Sequence, residues 1–367
     1  MCRVFRFTAL ILLAVSCLVI SSGCSRDSKE ESISSSPVLS RTITDMTGRE
    51  VEIPEPEDIK RFAVQTSPQV LNAYAVGVSD RLCAVTNAVK RWPLLGKADP
   101  GLKDVPATRA GNAQINIESL LSTRPDICIG SESDMRVVEE LTSLPTLRIS
   151  MGIPGAYFES VKNEVAFFGR IFGKEDRVKT YTARLDESLI MIRGATETLE
   201  ADKKVKVYMG FDADHLTTYG KDTFMNEWIE ASGCINSAGV IKSQGGKEGG
   251  LRSVSMEQIV AWNPDIIIID SGKPEDVFKK PAWASINAVK NKAVYRLPVG
   301  LFLWNRPACE AAVLFPRWLS AKAYPGKFSN INISSYAMQF YHDVFGFDFS
   351  ENEIEQIFNP QAGENGR

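Results

Sequence analysis

Ile115-Asn116-Ile117-Glu118-Ser119-Leu120-Leu121-Ser122-Thr123-Arg124-Pro125-Asp126-Ile127-Cys128-Ile129 returns later in the chain as Val254-Ser255-Met256-Glu257-Gln258-Ile259-Val260-Ala261-Trp262-Asn263-Pro264-Asp265-Ile266-Ile267-Ile268. The two stretches align without a gap, and the offset is 139 residues throughout, from Glu118 to Glu257 and from Pro125 to Pro264. Each copy reads as a short amphipathic helix with one acid in its first turn, a Pro-Asp break, and a buried apolar strand. A unit used twice implies two α/β lobes of similar design, each presenting a glutamate at an equivalent place. Two lobes leave a cleft between them, and clefts are where ligands bind.

Outward from the first copy, Arg41 to Pro54 alternates around an Asp45-Met46-Thr47-Gly48 turn, a β-hairpin signal. Strands are expected at Phe62–Val64, Leu82–Val85, Ile127–Ile129 and Thr146–Ile149. Short helices are expected from Ser67-Pro68 to Gly77 and over Val137–Leu141. Then comes the longest helical pattern. Val161, Val165, Phe168 and Phe172 share a face, Gly173 interrupts, and Val178, Tyr181, Leu185 and Leu189 continue it. A helix over Lys174–Leu199 would reach roughly 39 Å, long enough to span two lobes. Beyond it lie strand Val205–Met209, helix Thr223–Ala231, a glycine-rich loop Gln244–Gly250 and the second repeat copy. Strand Ala293–Leu297, helix Ala308–Leu319 and a helical tail over Phe328–Phe358, expected to pack on the second lobe, complete the pattern. The expected organisation is a leader over 1–23, a tether over 24–40, a first lobe over 41–158, a bridging helix within 159–200, and a second lobe with its tail over 201–367. The fold class is α/β, two Rossmann-like lobes joined by one long helix.

The leader has only Arg3 and Arg6 as charges before the apolar run Phe7–Ile20, too short to span a membrane and suited to a signal-peptide core. Ser22-Gly23-Cys24 closes it and resembles the lipobox of bacterial lipoproteins, in which the cysteine is acylated and becomes the mature N-terminus. An acyl anchor at Cys24 would tie the protein to a membrane surface. Residues 25–40 are Ser-rich and charged, a composition that buries no core. The chain is 44% hydrophobic and 24% charged, as globular domains are. Its net charge of −3, more negative still without Arg3 and Arg6, shows no basic stripe of the kind nucleic acid requires. Cys83, Cys128, Cys234 and Cys309 remain after the leader, without CxxC spacing; Cys83 and Cys128 lie in apolar strand-like runs and read as buried thiols, and a disulfide, open to a chain in an oxidising compartment, cannot be paired from sequence.

Thr44-Asp45-Met46-Thr47-Gly48-Arg49-Glu50-Val51, Asn116-Ile117-Glu118 with Pro125-Asp126-Ile127, and Phe172-Gly173-Lys174-Glu175-Asp176-Arg177 form one set with the lipobox. Ser255-Met256-Glu257-Gln258-Ile259 and Ala288-Val289-Lys290-Asn291-Lys292-Ala293-Val294-Tyr295 belong to the same set. Together they resemble the helical-backbone (class III) substrate-binding proteins of ABC importers for Fe(III)-siderophores, haem and cobalamin. The resemblance covers residues 41–345. It implies a monomeric, membrane-anchored receptor facing the periplasm or cell exterior. Its partners would be an importer permease and a metal chelate, most simply a ferric siderophore, carried as ligand and not as cofactor. It also implies that Glu118 and Glu257 dock on permease arginines, a role suited to exposed first-turn carboxylates. Cobalamin or haem is the alternative cargo.

Cleft loops are expected where strands end: Gln65–Ser67, Asn87–Trp92, Gly130–Glu132 and Ser150–Gly152 in the first lobe. In the second they are Gly210–Asp212, His215–Tyr219, Ser271–Lys273 and Leu303–Arg306. Trp92, Trp304 and Arg306 suit a planar anionic ligand as aromatic faces with a fixed cation, and Tyr157 and Tyr219 are further candidates. No Gly-x-Ser-x-Gly elbow or phosphate-binding Gly-Lys-Ser/Thr loop occurs, so the chain reads as no enzyme. A chelatase-like reading would rest on Asp212, Asp214 and His215, and an adhesive scaffold is a third class. With only His215 and His342 available, a bare transition-metal site has too few ligands.

Overall fold

The computed structural model describes residues 39–109, 113–150, 152–242 and 250–360. Strands β1 (Ser40–Thr44) and β2 (Glu50–Pro54) form the antiparallel hairpin. Its turn is fixed by Asp45, whose Oδ1 accepts from the amides of Thr47 (2.9 Å) and Arg49 (3.1 Å), while Gly48 takes φ +85°. The first lobe then alternates strand and helix. It runs β3 (Phe62–Val64), α1 (Val70–Ala75), β4 (Leu82–Thr86), α2 (Pro93–Ala98), β5 (Ala107–Arg109), α3 (Ile117–Ser122), β6 (Ile127–Ser131), α4 (Glu132–Leu141) and β7 (Thr146–Ile149). The strands are parallel in the order β5-β4-β3-β6-β7. β3 and β4 are buried along their whole length, as parallel strands covered on both faces must be. The order reverses between β3 and β6.

Two helices follow, divided where Gly173 interrupts the apolar pattern. α5 (Tyr157–Phe172) ends at Gly173, which takes the left-handed conformation at φ +62°, and α6 (Glu175–Thr196) starts at once. α6 is therefore 22 residues, about 33 Å at 1.5 Å per residue, shorter than the sequence pattern suggested. It packs against α1 and α5 on one side and against second-lobe helices on the other.

The second lobe comprises β8 (Lys206–Gly210), β9 (Thr217–Tyr219), α7 (Phe224–Ala231), β10 (Ile235–Asn236), β11 (Leu251–Ser253), α8 (Met256–Trp262) and β12 (Ile266–Ile269). It continues through α9 (Pro274–Phe278), α10 (Asn287–Lys290), β13 (Val294–Arg296) and α11 (Cys309–Ala323). Its parallel sheet has the order β10-β8-β12-β13 and reverses between β8 and β12, while β9 and β11 form a separate antiparallel pair. Tyr181 and Ser188 of α6 donate to the carbonyls of Cys309 (3.1 Å) and Val313 (3.0 Å) in α11, fastening the bridge to this lobe. Cys83, Cys128, Cys234 and Cys309 are buried and free.

The repeat holds at the level of single hydrogen bonds. Asn116 caps α3 through the amide of Ser119, and Ser255 caps α8 through that of Gln258, at the same repeat position. Arg124 and Asn263, again equivalent, are both left-handed at φ 47° and 45°. Asp126 Oδ2 then accepts from the amides of Lys60 and Arg61, and Asp265 Oδ2 from that of Lys206. In each lobe the Pro-Asp break thus pins the incoming strand to the start of its parallel neighbour.

The tail of α12 (Ile333–Phe340), a wide π-type turn over Tyr341–Phe345 and α13 (Glu351–Phe358) does not pack on the second lobe alone. Phe347 lies 5.8 Å from Tyr74 of α1, and Glu353 pairs with Lys97 of α2. Arg177 of α6 donates to Ala75 O (3.3 Å), Asp343 O (3.1 Å) and Val344 O, gathering carbonyls from the first lobe and the tail. The tail corrects the sequence expectation because its aromatic residues find apolar partners on both lobes.

Candidate functional site

In open parallel sheets the crevice lies at the carboxyl ends of the strands where strand order reverses. In the first lobe that point is Gln65-Thr66-Ser67 after β3 and Ser131 at the end of β6. Gln65 and Thr66 are buried. Gln65 Oε1 accepts from Thr108 Oγ1 (3.1 Å), yet its Nε2 and the Thr66 hydroxyl have no hydrogen-bond partner. Ser67 Oγ and Thr86 Oγ1 share a hydrogen bond of 2.5 Å. Arg109, at the end of β5, donates to Gln65 O (3.4 Å) and is ion-paired with Asp134, which also accepts from Ser131 Oγ (2.7 Å). The edge is a row of polar groups around one half-buried guanidinium.

Trp92 follows β4 and is buried because Phe302 of the second lobe covers it, edge-on at a centroid distance of 5.4 Å. Its indole Nε1 has no partner. A cavity of about 170 Å³ lies between Pro93, Leu94 and Lys97 of the first lobe, Val299 and Gly300 of the second, and Glu353, Gln356, Ile357 and Pro360 of the tail. The carboxyl ends of the two sheets therefore meet through an aromatic pair.

Phe302 is held by a carboxylate that sequence reasoning missed. Glu310, in the first turn of α11, is fully buried and accepts from Leu301 N (2.8 Å), Phe302 N (3.1 Å) and Tyr341 OH (2.6 Å). Burial pushes its pKa up to about 7 against those three donors. Gly300 permits the approach, since a Cβ there would lie 1.9 Å from Glu310 Oε1. A lone acid in the apolar run Ala308–Leu319 was the available signal.

The remaining expectations divide. Arg306 is half-buried, and its Nη1 donates to Asn305 O (2.8 Å). Trp304 is no platform: it has no exposed surface and packs 6.1 Å from Phe358, because the core beneath the loop needs an aromatic of that size. Tyr219 is likewise buried, edge-on to Phe211 and Phe224, with its hydroxyl donating to Asn305 O (3.3 Å). Tyr157 is half-buried and opens α5. Its amide and that of Phe158 donate to Glu227 of α7 (2.9 and 3.1 Å), a helix-start contact between residues 70 positions apart that no local pattern signals.

Asp212, Asp214 and His215 form a tight turn. Asp212 and His215 have φ of 64° and 63°, and Asp214 Oδ1 accepts from Leu216 N (3.0 Å). The His215 ring is buried against Trp283, and burial holds its pKa below the usual value, with Lys280 adding to the effect. Among the described residues no group of three or more His, Cys, Asp or Glu side chains converges as a metal site. Glu118 and Glu257 are both exposed. Cys24, Met151 and loop positions 244–249 lie outside the described residues. Among the described residues no helix is long and apolar enough to cross a membrane.

The sequence profile of the periplasmic binding proteins matches residues 63–299. The molybdate-binding protein MolA of Haemophilus influenzae is 26% identical over 342 residues, covering 86% of this chain and 93% of that protein. The petrobactin-binding protein YclQ of Bacillus subtilis is 26% identical, covering 79% and 90%. A periplasmic solute binding protein from Veillonella parvula superposes with a TM-score of 0.75 at 25% identity, covering 87% of this chain and 97% of that one.

Proposed function

Because the chain belongs to the periplasmic binding protein family, the substrate-binding proteins of ABC importers and not enzymes, we propose that its solute is a compact, anionic metal species of the molybdate class, held between the lobes. The observation that carries this reading is the set of buried donors without partners at the facing edges: Gln65 Nε2, the Thr66 hydroxyl and Trp92 Nε1. An unsatisfied buried polar group costs about 1–3 kcal/mol, a cost that an oxyanion accepting from it would offset. The close Trp92–Phe302 contact, with ring centroids 5.4 Å apart, suits a small ligand better than a bulky chelate.

A ferric siderophore is the second reading. It is favoured by the petrobactin-binding relative and by Arg306, a half-buried cation on the same loop as Phe302. Titration of intrinsic tryptophan fluorescence with molybdate, tungstate, sulfate and a ferric catecholate separates the two. Saturable binding of molybdate and tungstate supports the oxoanion. Binding of the catecholate alone transfers the site to the siderophore reading, and no response to any of them overturns both. Acylation of Cys24 would hold the receptor at the membrane surface as a monomer, and a Cys24→Ala variant would then be released from membranes.

A further inference from the structure

The turn that carries Phe302 is held from behind. Val299 and Leu303 form an antiparallel bridge, and Gly300 N donates to Phe302 O (3.2 Å), so residues 299–303 double back tightly. The next two amides then meet Glu310, that of Leu301 on Oε1 and that of Phe302 on Oε2. The tail closes the arrangement. Tyr341 OH donates to the same Oε1, Ile357 O accepts from Val299 N (3.1 Å), and Phe358 packs on Trp304. Glycine is needed at position 300, since a Cβ there would come within 1.9 Å of Glu310 Oε1 and 2.8 Å of Tyr341 Oη. Phe302 itself meets Trp92 of the first lobe edge-on. Contacts thus run from the tail, through one carboxylate, to an aromatic pair between the lobes.

A buried carboxylate among neutral donors is a costly way to fill space. An apolar side chain would pack there at lower cost, but it would leave two buried loop amides without acceptors. We propose that Glu310 is a positioning residue for the solute: by seating the 299–303 turn it fixes Phe302 against Trp92, and so sets how wide a solute the cleft admits. The inference rests on the reading that the solute binds between the lobes. With the turn seated, the ring centroids stand 5.4 Å apart, a contact distance that leaves no room for a third group between them. A compact oxoanion binds beside the pair. A bulky chelate has to part it, which means unseating both amides. Tightness of the seat thereby becomes selectivity.

The test reads Trp92 in the ligand-free full-length protein, isolated by subtracting the spectrum of each variant combined with Trp92→Phe. Glu310→Gln keeps the side-chain shape but has one acceptor oxygen, so its amide NH2 is set against a backbone N–H. Gly300→Ala drives a methyl into the carboxylate from the loop side. Both are expected to shift Trp92 emission to the red and to raise its quenching by acrylamide, because the indole loses its cover. Ile259→Ala makes a cavity in a core cluster separate from that of Phe302, so it controls for lost stability alone and should leave the signal where it is. In titrations with molybdate and a ferric catecholate, the ratio of molybdate to catecholate affinity should fall about tenfold or more in both loop variants. An unchanged Trp92 signal in both, the same shift in Ile259→Ala, or a shifted signal with the affinity ratio untouched would overturn the inference. A wild type that titrates with neither solute removes the solute reading, and the Trp92 signal alone then decides whether Glu310 seats the turn.

Discussion

Glu164 and Glu310 are buried carboxyls that accept hydrogen bonds from neutral donors. Glu164 of α5 is buried and accepts from Gln69 Nε2 at 2.9 Å, and burial pushes its pKa up to about 8; Glu310 is raised to about 7. An acid raised on folding favours the folded state most below its unfolded value, near 4.5, and that contribution is lost as pH climbs through the folded value. Stability should therefore fall between about pH 4.5 and 8, by up to about 1.4 kcal/mol per pH unit for each carboxyl crossed. Denaturant midpoints across that range check the slope, and Glu164→Gln should flatten it. Burial gives opposite expectations for Arg306, proposed to face an anionic ligand, and for Trp304, which lies in the core. Arg306→Ala should weaken an anionic ligand by about 1.5–3 kcal/mol with little change in stability. Trp304→Ala should instead cost about 3–5 kcal/mol of stability through its cavity. Calorimetric titration and chemical denaturation on both variants distinguish the two roles. Trp304 and Tyr219 were not legible as core because an aromatic in a strand-end loop looks the same whether it caps a cleft or fills one. Their burial depends on Phe358, Phe211 and Phe224, which only the folded chain brings near.

At the level of elements, the sequence spoke more clearly. The hairpin, the β3, β6 and β12 strands and the repeat all announce themselves by alternation, apolar runs and Pro-Asp breaks, which are local. The bridge reads as an apolar periodicity interrupted at Gly173, and the structure divides it there, with α6 ending at Thr196, short of the expected Leu199. Apolar spacing continues across the break, but only a left-handed residue lets α6 leave at a new angle. Gly173→Ala should cost about 1 kcal/mol, a backbone penalty, since the added Cβ would meet Pro56 at an ordinary 3.5 Å. Unfolding in guanidinium measures it. Glu227, across from the start of α5, and Glu310, beneath the Phe302 loop, were invisible for the opposite reason: each acts on a segment that approaches it only in three dimensions.

Across the whole molecule, the lobes are tied at several separate places. α6 grips both, Arg177 collects carbonyls from α1 and the tail, and Glu227 holds the start of α5. Hinge motion would have to break these together, so ligand binding should leave the radius of gyration unchanged within error. Small-angle scattering with and without molybdate tests this, and a clear compaction would contradict it. The fold as a whole could be read from the sequence because two lobes repeat one plan. The site could not, because it exists only where those plans face each other.

The tail's hold on the first lobe also sets the timing of maturation. A chain that crosses a membrane as an extended thread delivers its residues in order, and here the pieces that cover Tyr74 and answer Lys97 arrive last. Contacts closed over such long stretches of chain form late. Were this chain delivered in that way, its first lobe would be expected to gain full protection at Tyr74 and Lys97 only once the last helix had emerged, so completion of the fold would coincide with completion of delivery.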